Sequence, residues 1–338
     1  MAVTTSKNEA RGAASTGGPS GGGSRSARIY GFLRQLPLWV IVTIWVIPTF
    51  GLFVNSFRPK SGQRGLGWWQ ALTAGNQELP ASEQSMVNIE DLTLDNYADV
   101  FSASSTAKLS DSLLNSFAIA IPATIIPIAI AAFAAYGFAW IDFKGRDKLF
   151  IVVVSLLAIP LQVALIPLLR LYNGGAHLTI PFLEKTITVF PDLDLAGTST
   201  AVWLTHTGFA MPFAIFLLHN YISGLPKDLF ESARIDGADH FTIFWRLVLP
   251  LSVPVLAAFA IFQFLWTWND YLIAVVMLSS NQDAFPTTIR IANLAGDFGR
   301  NEHLLASAAF VQAFVPLVVF FSLQRFFVRG ILAGSVKG

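Results

Sequence analysis

Long uncharged apolar runs separated by short polar segments set the pattern of this chain. A helix crosses the hydrocarbon layer of roughly 30 Å with about 20 residues. Runs of that order fall at 35–57, 112–141, 149–170, 198–223, 250–279 and 304–325. The pattern predicts an all-α polytopic membrane protein with six transmembrane helices. Between them lie an N-terminal segment (1–34), an extracytoplasmic insertion (58–111), a loop (226–250) and a tail (326–338).

The loop at 226–250, PKDLFESARIDGADHFTIFWRLVLP, carries seven charged residues between two apolar runs. Pro226 suits a first helical position, and Asp228 and Glu231 fall in or near the first turn, where the helix dipole favours anions. Gly237 supplies a left-handed stop. Asp239 then caps a second helix, whose Phe241, Phe244, Trp245 and Val248 recur at i, i+3, i+4 and i+7 until Pro250 bends the chain. The expectation is a helix, a glycine turn and a helix on one membrane face.

Composition sharpens this. With 54% hydrophobic and 13% charged residues and a mean hydropathy of +0.57, the chain lacks the polar surface to cover a water-soluble core. Fourteen of the 22 Lys and Arg fall on one side of the six-span topology, in 1–34, 142–148, 227–246 and 325–338. By the positive-inside rule these segments, both termini included, face the cytoplasm. That topology accounts for the basic residues, so the net charge of +1 gives no reason to expect a nucleic-acid partner. Zero cysteines exclude disulfides and thiolate metal sites. Residues 1–28, rich in Gly, Ser, Ala and Thr, are expected to be disordered, with a tether for a partner as the alternative. The first apolar run follows 34 residues and precedes no small-residue cleavage pattern, so it reads as a retained span.

Several residues within the spans carry candidate chemistry. Small residues make the second span a packing helix, although Pro122 and Pro127 are also compatible with a broken helix lining a cavity. Gln162 is a packing hydrogen bond or a pathway residue. His206 and His219 come with no HExxH pattern or carboxylate pair, so a metal site has little support. The fifth span gathers Gln263, Trp266, Trp268, Asn269, Asp270 and Tyr271. Its aromatics suit an interfacial belt. Asp270 is the one carboxylate embedded in a span, and structural pairing and pathway lining both remain open for it.

Glu231-Ser232-Ala233, three residues, Gly237, nine residues, Leu247, one residue and Leu249-Pro250 resembles the cytoplasmic coupling loop of bacterial ABC importer permeases. In that family the pattern is Glu-Ala-Ala, three residues, Gly, nine residues, Ile, one residue, Leu-Pro; Ser232 and Leu247 are conservative departures. Leu92-Thr93-Leu94-Asp95-Asn96-Tyr97, Asn115-Ser116 and Trp268-Asn269-Asp270 are similar to strings of the same family. The tail Gly-Ile-Leu-Ala-Gly-Ser-Val-Lys-Gly (330–338) resembles the ending of one permease type in sugar importers of the maltose-transporter group, and the run from Phe314 onward resembles permeases for glucose and α-glucosides.

The resemblance implies a type I importer permease domain over 35–338 that moves a sugar or oligosaccharide inward by alternating access. It assigns ATPase coupling to Glu231, Ser232, Ala233, Asp236, Gly237, Leu249 and Pro250, and ATPase contact to Gly334, Lys337 and Gly338. Asn115, Gln263, Trp266, Trp268, Asn269 and Asp270 become the candidate substrate pathway. The implied partners are an ATPase dimer carrying ATP and Mg, a second permease, an extracytoplasmic sugar-binding protein and the lipid bilayer. No GxxxxGK[ST] pattern occurs, so this chain is expected to hold no nucleotide or other cofactor and to be no enzyme alone. Three alternatives stay in view: an importer of a non-sugar solute, an ion-coupled secondary transporter, and a membrane enzyme. The last two leave the 226–250 loop unexplained.

Overall fold

The computed structural model describes residues 25–58, 68, 92–102, 109–180, 182, 185–296 and 302–335. The chain divides into two units, Met1–Phe50 and Gly51–Gly338. The first contains most of α1 (Arg25–Phe57), apolar and exposed all round from Leu36 to Phe50. A helix apolar on every side belongs in hydrocarbon. Its Thr43 and Thr49 hydroxyls donate to the carbonyls of Trp39 (2.8 Å) and Trp45 (3.2 Å), as polar groups in lipid must find internal partners. The expectation of disorder covers residues 1–28; residues 1–24 lie outside the described residues, and from Arg25 on the expectation fails, because the chain is already helical in α1.

The second unit is organised around α3 (Leu109–Trp140) and α6 (Ser199–Ile222). Ala131, Ala132 and Ala135 of α3 share a core with Ala210, Ala214, Ile215 and Leu218 of α6. Small side chains let the two backbones approach closely where no hydrophobic drive exists between helices in lipid. Despite Pro122 and Pro127, α3 is one continuous helix, which answers the packing-or-broken question in favour of packing.

The breaks fall elsewhere. The third predicted span is two limbs, α4 (Arg146–Ser155), extended by a 3₁₀ turn at Leu156–Ala158, and α5 (Leu161–Tyr172), bent by 104°. Pro160 is the cause: it excludes Ile159 from helical geometry, and Ile159 sits at φ −79°, ψ 117°. The fifth predicted span is also interrupted. α10 (Val253–Trp268) is only 16 residues, about 24 Å at the helical rise, and a short α11 (Leu272–Met277) follows the Asn269-Asp270 break. Among the described residues four helices are long and apolar enough to cross a membrane, or six if each bent pair is one span, the pairs being α4 with α5 and His240–Leu251 with α10.

Two further elements escaped the hydropathy pattern. β1 (Ala176–Ile180) and β2 (Lys185–Phe190) form an antiparallel hairpin between α5 and α6, with His177 opposite Thr188 and Leu178 opposite Ile187. α12 (Thr287–Gly296) buries Ile289 and Leu294 ahead of α13 (Glu302–Ser335). α2 (Asp95–Phe101) is fastened beside the end of α1: the Asn96 amide donates to the carbonyls of Ser56 (2.9 Å) and Arg58 (2.8 Å), and Tyr97 Oη donates to Ser56 Oγ (2.8 Å). That is the structural work of the Asp-Asn-Tyr string.

Candidate functional site

The segment after α6 forms the expected pair of short helices. A tight turn at Ser223–Leu225 leads to Pro226, which is the N-cap and not the first helical residue of α7 (Lys227–Ile235). α7 ends in two stacked backbone bonds: the Ala238 amide donates to Ala233 O (2.9 Å) and the Gly237 amide to Arg234 O (3.0 Å). This is a Schellman stop, whose residue after the cap must be left-handed, and Gly237 has φ +80°. A Cβ built on Gly237 meets nothing within 4 Å, so the constraint is conformational and not steric crowding. The spacing from Ala233 to Gly237 is therefore the offset that this stop demands.

Asp239 caps the second helix, α8 (His240–Ile243), accepting from the Thr242 amide at 2.8 Å. Hydrogen bonds from the Thr242 side chain and amide hold the Asp239 carboxyl below its usual value. The chain then winds into a π turn, Phe244–Val248, and a last turn, α9 (Leu249–Leu251), before bending 71° into α10. Pro250 has no N–H for the carbonyls behind it, which favours such a turn here. The π turn alters the face that the sequence periodicity predicted: Phe244 and Val248 are buried, while Phe241 (64%) and Trp245 (46%) are exposed.

One side chain of α7 is buried, Phe230, at 1% exposure. It stacks on Trp140 at the end of α3, with ring centroids 3.6 Å apart and planes at 14°. Trp140 Nε1 in turn donates to Ile222 O at 3.1 Å. Burial of such a ring stabilises by about 1.5–3 kcal/mol, and the aromatic pair adds about 0.5–1.5 kcal/mol. The rest of α7 faces outward: Glu231, Ser232, Asp236 and Gly237 are exposed, and Ile235 is 85% exposed. Ala233 and Leu249 are half-buried against the core, and Pro250 is exposed. Gly334 lies in the last turn of α13; Lys337 and Gly338 lie outside the described residues.

The candidate pathway residues separate into two groups around the α10–α11 break. Trp268 and Gln263 are buried and committed to packing: Trp268 Nε1 donates to Gln312 O (3.0 Å), and Gln263 Nε2 donates to Ala123 O (3.1 Å). Gln312 returns a bond to Trp268 O (3.0 Å) and accepts from the Thr287 hydroxyl, which also meets Ser116 Oγ (2.9 Å). This buried polar network joins α3, α10, α12 and α13. Asn115 donates to the carbonyls of Asp283 and Phe285.

Asn269 is exposed, Trp266 is half-buried and edge-on to His206 (5.1 Å), and Asp270 sits at the break itself. The Asp270 carboxylate accepts from the amides of Ile273 (3.3 Å) and Ala274 (2.9 Å), capping α11, and lies 3.6 Å from His206 Nε2. Thr288 donates to its carbonyl (2.7 Å). Among the described residues no cluster of His, Asp and Glu fits a metal ion. Sequence reasoning missed Gln312, although a lone amide in an apolar span was a signal for it. It also missed Trp140, Phe230 and Thr287, whose partners are distant in sequence.

The helix-glycine-helix loop has the form that the resemblance to importer permeases implied, and comparison with known proteins identifies the class. The chain belongs to the family of binding-protein-dependent transport system inner membrane components, which matches residues 20–333. It is 47% identical over 310 residues to the osmoprotective compounds uptake permease protein GgtD of Synechocystis sp., covering 90% of this chain and 93% of that one. It is 40% identical to the alpha-glucoside transport system permease protein AglG of Rhizobium meliloti, covering 90% and 96%. A solved bacterial ABC transporter involved in import of the acidic polysaccharide alginate superposes with a TM-score of 0.66 at 20% identity, over 90% of this chain and 98% of that one, and so shares the fold. The chain is an ABC importer permease subunit of the inner membrane.

Proposed function

We propose that this chain is one permease half of an importer that carries a sugar or small α-glucoside into the cytoplasm, with both termini cytoplasmic. The observation that carries the coupling part is α7: a rigidly stopped helix, fixed to the body by Phe230, with Glu231, Ser232, Asp236 and Gly237 exposed on and just after it, which supports their reading as the contact to an ATPase subunit. ATP and Mg are held by that ATPase dimer. Its closure displaces α7 and biases the spans between inward- and outward-facing states. A second permease completes the pathway, an extracytoplasmic binding protein delivers the solute, and Gly334, Lys337 and Gly338 extend the ATPase contact.

The α-glucoside relative and the sugar-importer-like tail support a sugar. The higher identity to GgtD favours a second reading, an osmoprotective compound. Of the candidate pathway residues near the α10–α11 break, Asn269, Trp266 and Asp270 retain exposure, whereas Trp268 and Gln263 act by shaping α10.

The test is co-purification from detergent-solubilised membranes, wild type beside Glu231→Lys, followed by uptake in proteoliposomes. Recovery of an ATPase and a second permease, weakened by the charge reversal, supports the coupling reading. Recovery of the chain alone, with uptake intact, overturns it. ATP-driven uptake of labelled maltose, a reducing α-glucoside, but not glycine betaine supports a sugar, and the reverse favours the osmoprotective reading.

A further inference from the structure

The C-terminal end of α3 carries Phe133, Tyr136 and Trp140, at i, i+3 and i+7 on one helix. Each meets a different part of the loop that follows α6. Trp140 stacks on Phe230 of α7. Tyr136 Oη lies 2.8 Å from His240 Nδ1 at the start of α8. Phe133 stacks on Phe244 of the π turn, with centroids 4.4 Å apart and planes at 23°. One helix thus grips both short helices and the turn beyond them. Trp140 also bonds the Ile222 carbonyl where α6 ends, so it touches the loop at its root as well as at its first helix.

We propose that this aromatic ladder, with Trp140 as its main rung, transmits the displacement of α7 to the membrane-spanning body through α3. The inference rests on the importer reading given above and names transmitting residues that the coupling-loop motif does not contain. The physical reason is the poverty of other connections. Phe230 is the one buried side chain of α7; beside it only the small Ala233 is half-buried against the same core, and the helix is otherwise held at its two chain ends. A push on the exposed face of α7 reaches α3 only where a stiff contact exists, and a face-to-face ring stack with one ring hydrogen-bonded to a third element is such a contact. Without it, α7 swings about the Ser223–Leu225 turn and the glycine at 237, and ATPase motion is spent on the loop. Trp140 is a positioning residue: it touches neither solute nor nucleotide.

The experiment uses the full chain assembled with its ATPase, second permease and binding protein in proteoliposomes, measuring solute imported per ATP hydrolysed. Trp140→Leu is expected to assemble and hydrolyse ATP while import per ATP falls about tenfold, within the range of ordinary coupling free energies. Trp140→Phe, which keeps a ring against Phe230, is expected to recover most of that loss. Wild-type stoichiometry in Trp140→Leu overturns the proposal, as does equal loss in the Leu and Phe variants.

A second measurement covers misassembly. The chain has no cysteine, so a Trp140→Cys, Phe230→Cys double variant can be joined selectively by a short bifunctional thiol cross-linker, scored on this chain by mass. Restoration of coupling when the link forms supports transmission. Persisting loss after the link has formed, or failure of the link to form in an assembled complex, overturns it. If wild type recruits no ATPase, the importer reading fails instead, which keeps the two outcomes apart.

Discussion

His206 and Asp270 face each other across 3.6 Å, the imidazole fully buried and the carboxylate nearly so, where α6 passes the gap between α10 and α11. The same carboxylate caps α11 through the amides of Ile273 and Ala274. Asp270 therefore has two structural duties before any solute arrives. Asp270→Ala removes both and is expected to lower stability by about 1–3 kcal/mol, the cost of a lost cap and of unpaired amides. Asp270→Asn keeps an acceptor and should lose less. Thermal unfolding of the purified chain in detergent measures the order; equal losses would mean that the cap contributes nothing. Uptake that falls in Asp270→Asn while stability holds would add a pathway role.

Gly237 should tolerate size poorly for reasons of backbone alone. Its φ of +80° costs an L-residue about 1–2 kcal/mol, and there is open space where a Cβ would stand. Gly237→Asn is expected to retain much of the ATP-driven uptake, Gly237→Ala less, and Gly237→Val least, because a β-branched residue resists the left-handed region most. Uptake assays on correctly inserted variants check this series. Equal loss in all three would point to contact with a partner at that position instead of strain.

The Asp239 cap is pH-sensitive with a definite sign. Its folded carboxyl is held below the ordinary value of 3.8 by the Thr242 bonds, so the ionised form stabilises the loop above that pH, and the benefit disappears as pH falls through the lowered folded value. Asp239→Ala is expected to unfold earlier than wild type at neutral pH and to converge with it only in acid below the lowered folded value. Paired melts at both pH values test this, and a gap that persists in acid would assign the loss to something other than charge.

Gln312 closes the network between α10, α12 and α13. Gln312→Leu strands the Trp268 carbonyl and removes the acceptor of the Thr287 hydroxyl, a change expected to cost about 1–3 kcal/mol. Thr287→Val, which removes a partner instead of a hub, should cost less. Denaturation of both variants in detergent compares them.

How much of this was legible in sequence follows from which constraints are local. The stop at Gly237 and the cap at Asp239 depend on fixed offsets along the chain, so spacing alone located them. Helix breaks were harder, because proline is tolerated or not according to neighbours: Pro122 and Pro127 leave α3 whole, while Pro160 divides α4 from α5. The face presented by Phe241 and Trp245 was misread because a π turn shifts the phase of a 3.6-residue repeat. The hairpin was hidden by its short length, although Thr186-Ile187-Thr188-Val189 alternates with period two. The Phe230–Trp140 stack and the Gln312 network join residues far apart in the chain, and no local pattern carries such pairings.

The division of labour within α7 has an evolutionary reading. Phe230 points inward and fastens the helix, while Asp228, Glu231, Ser232 and Ile235 point outward and contribute little to its anchorage. Mutations on the outer face are thus nearly free of folding cost, and those at position 230 are not. On the proposed coupling role, a gene duplicate of this chain would drift toward a new ATPase, or away from a competing one, by changing those four positions while its membrane body stays as it is.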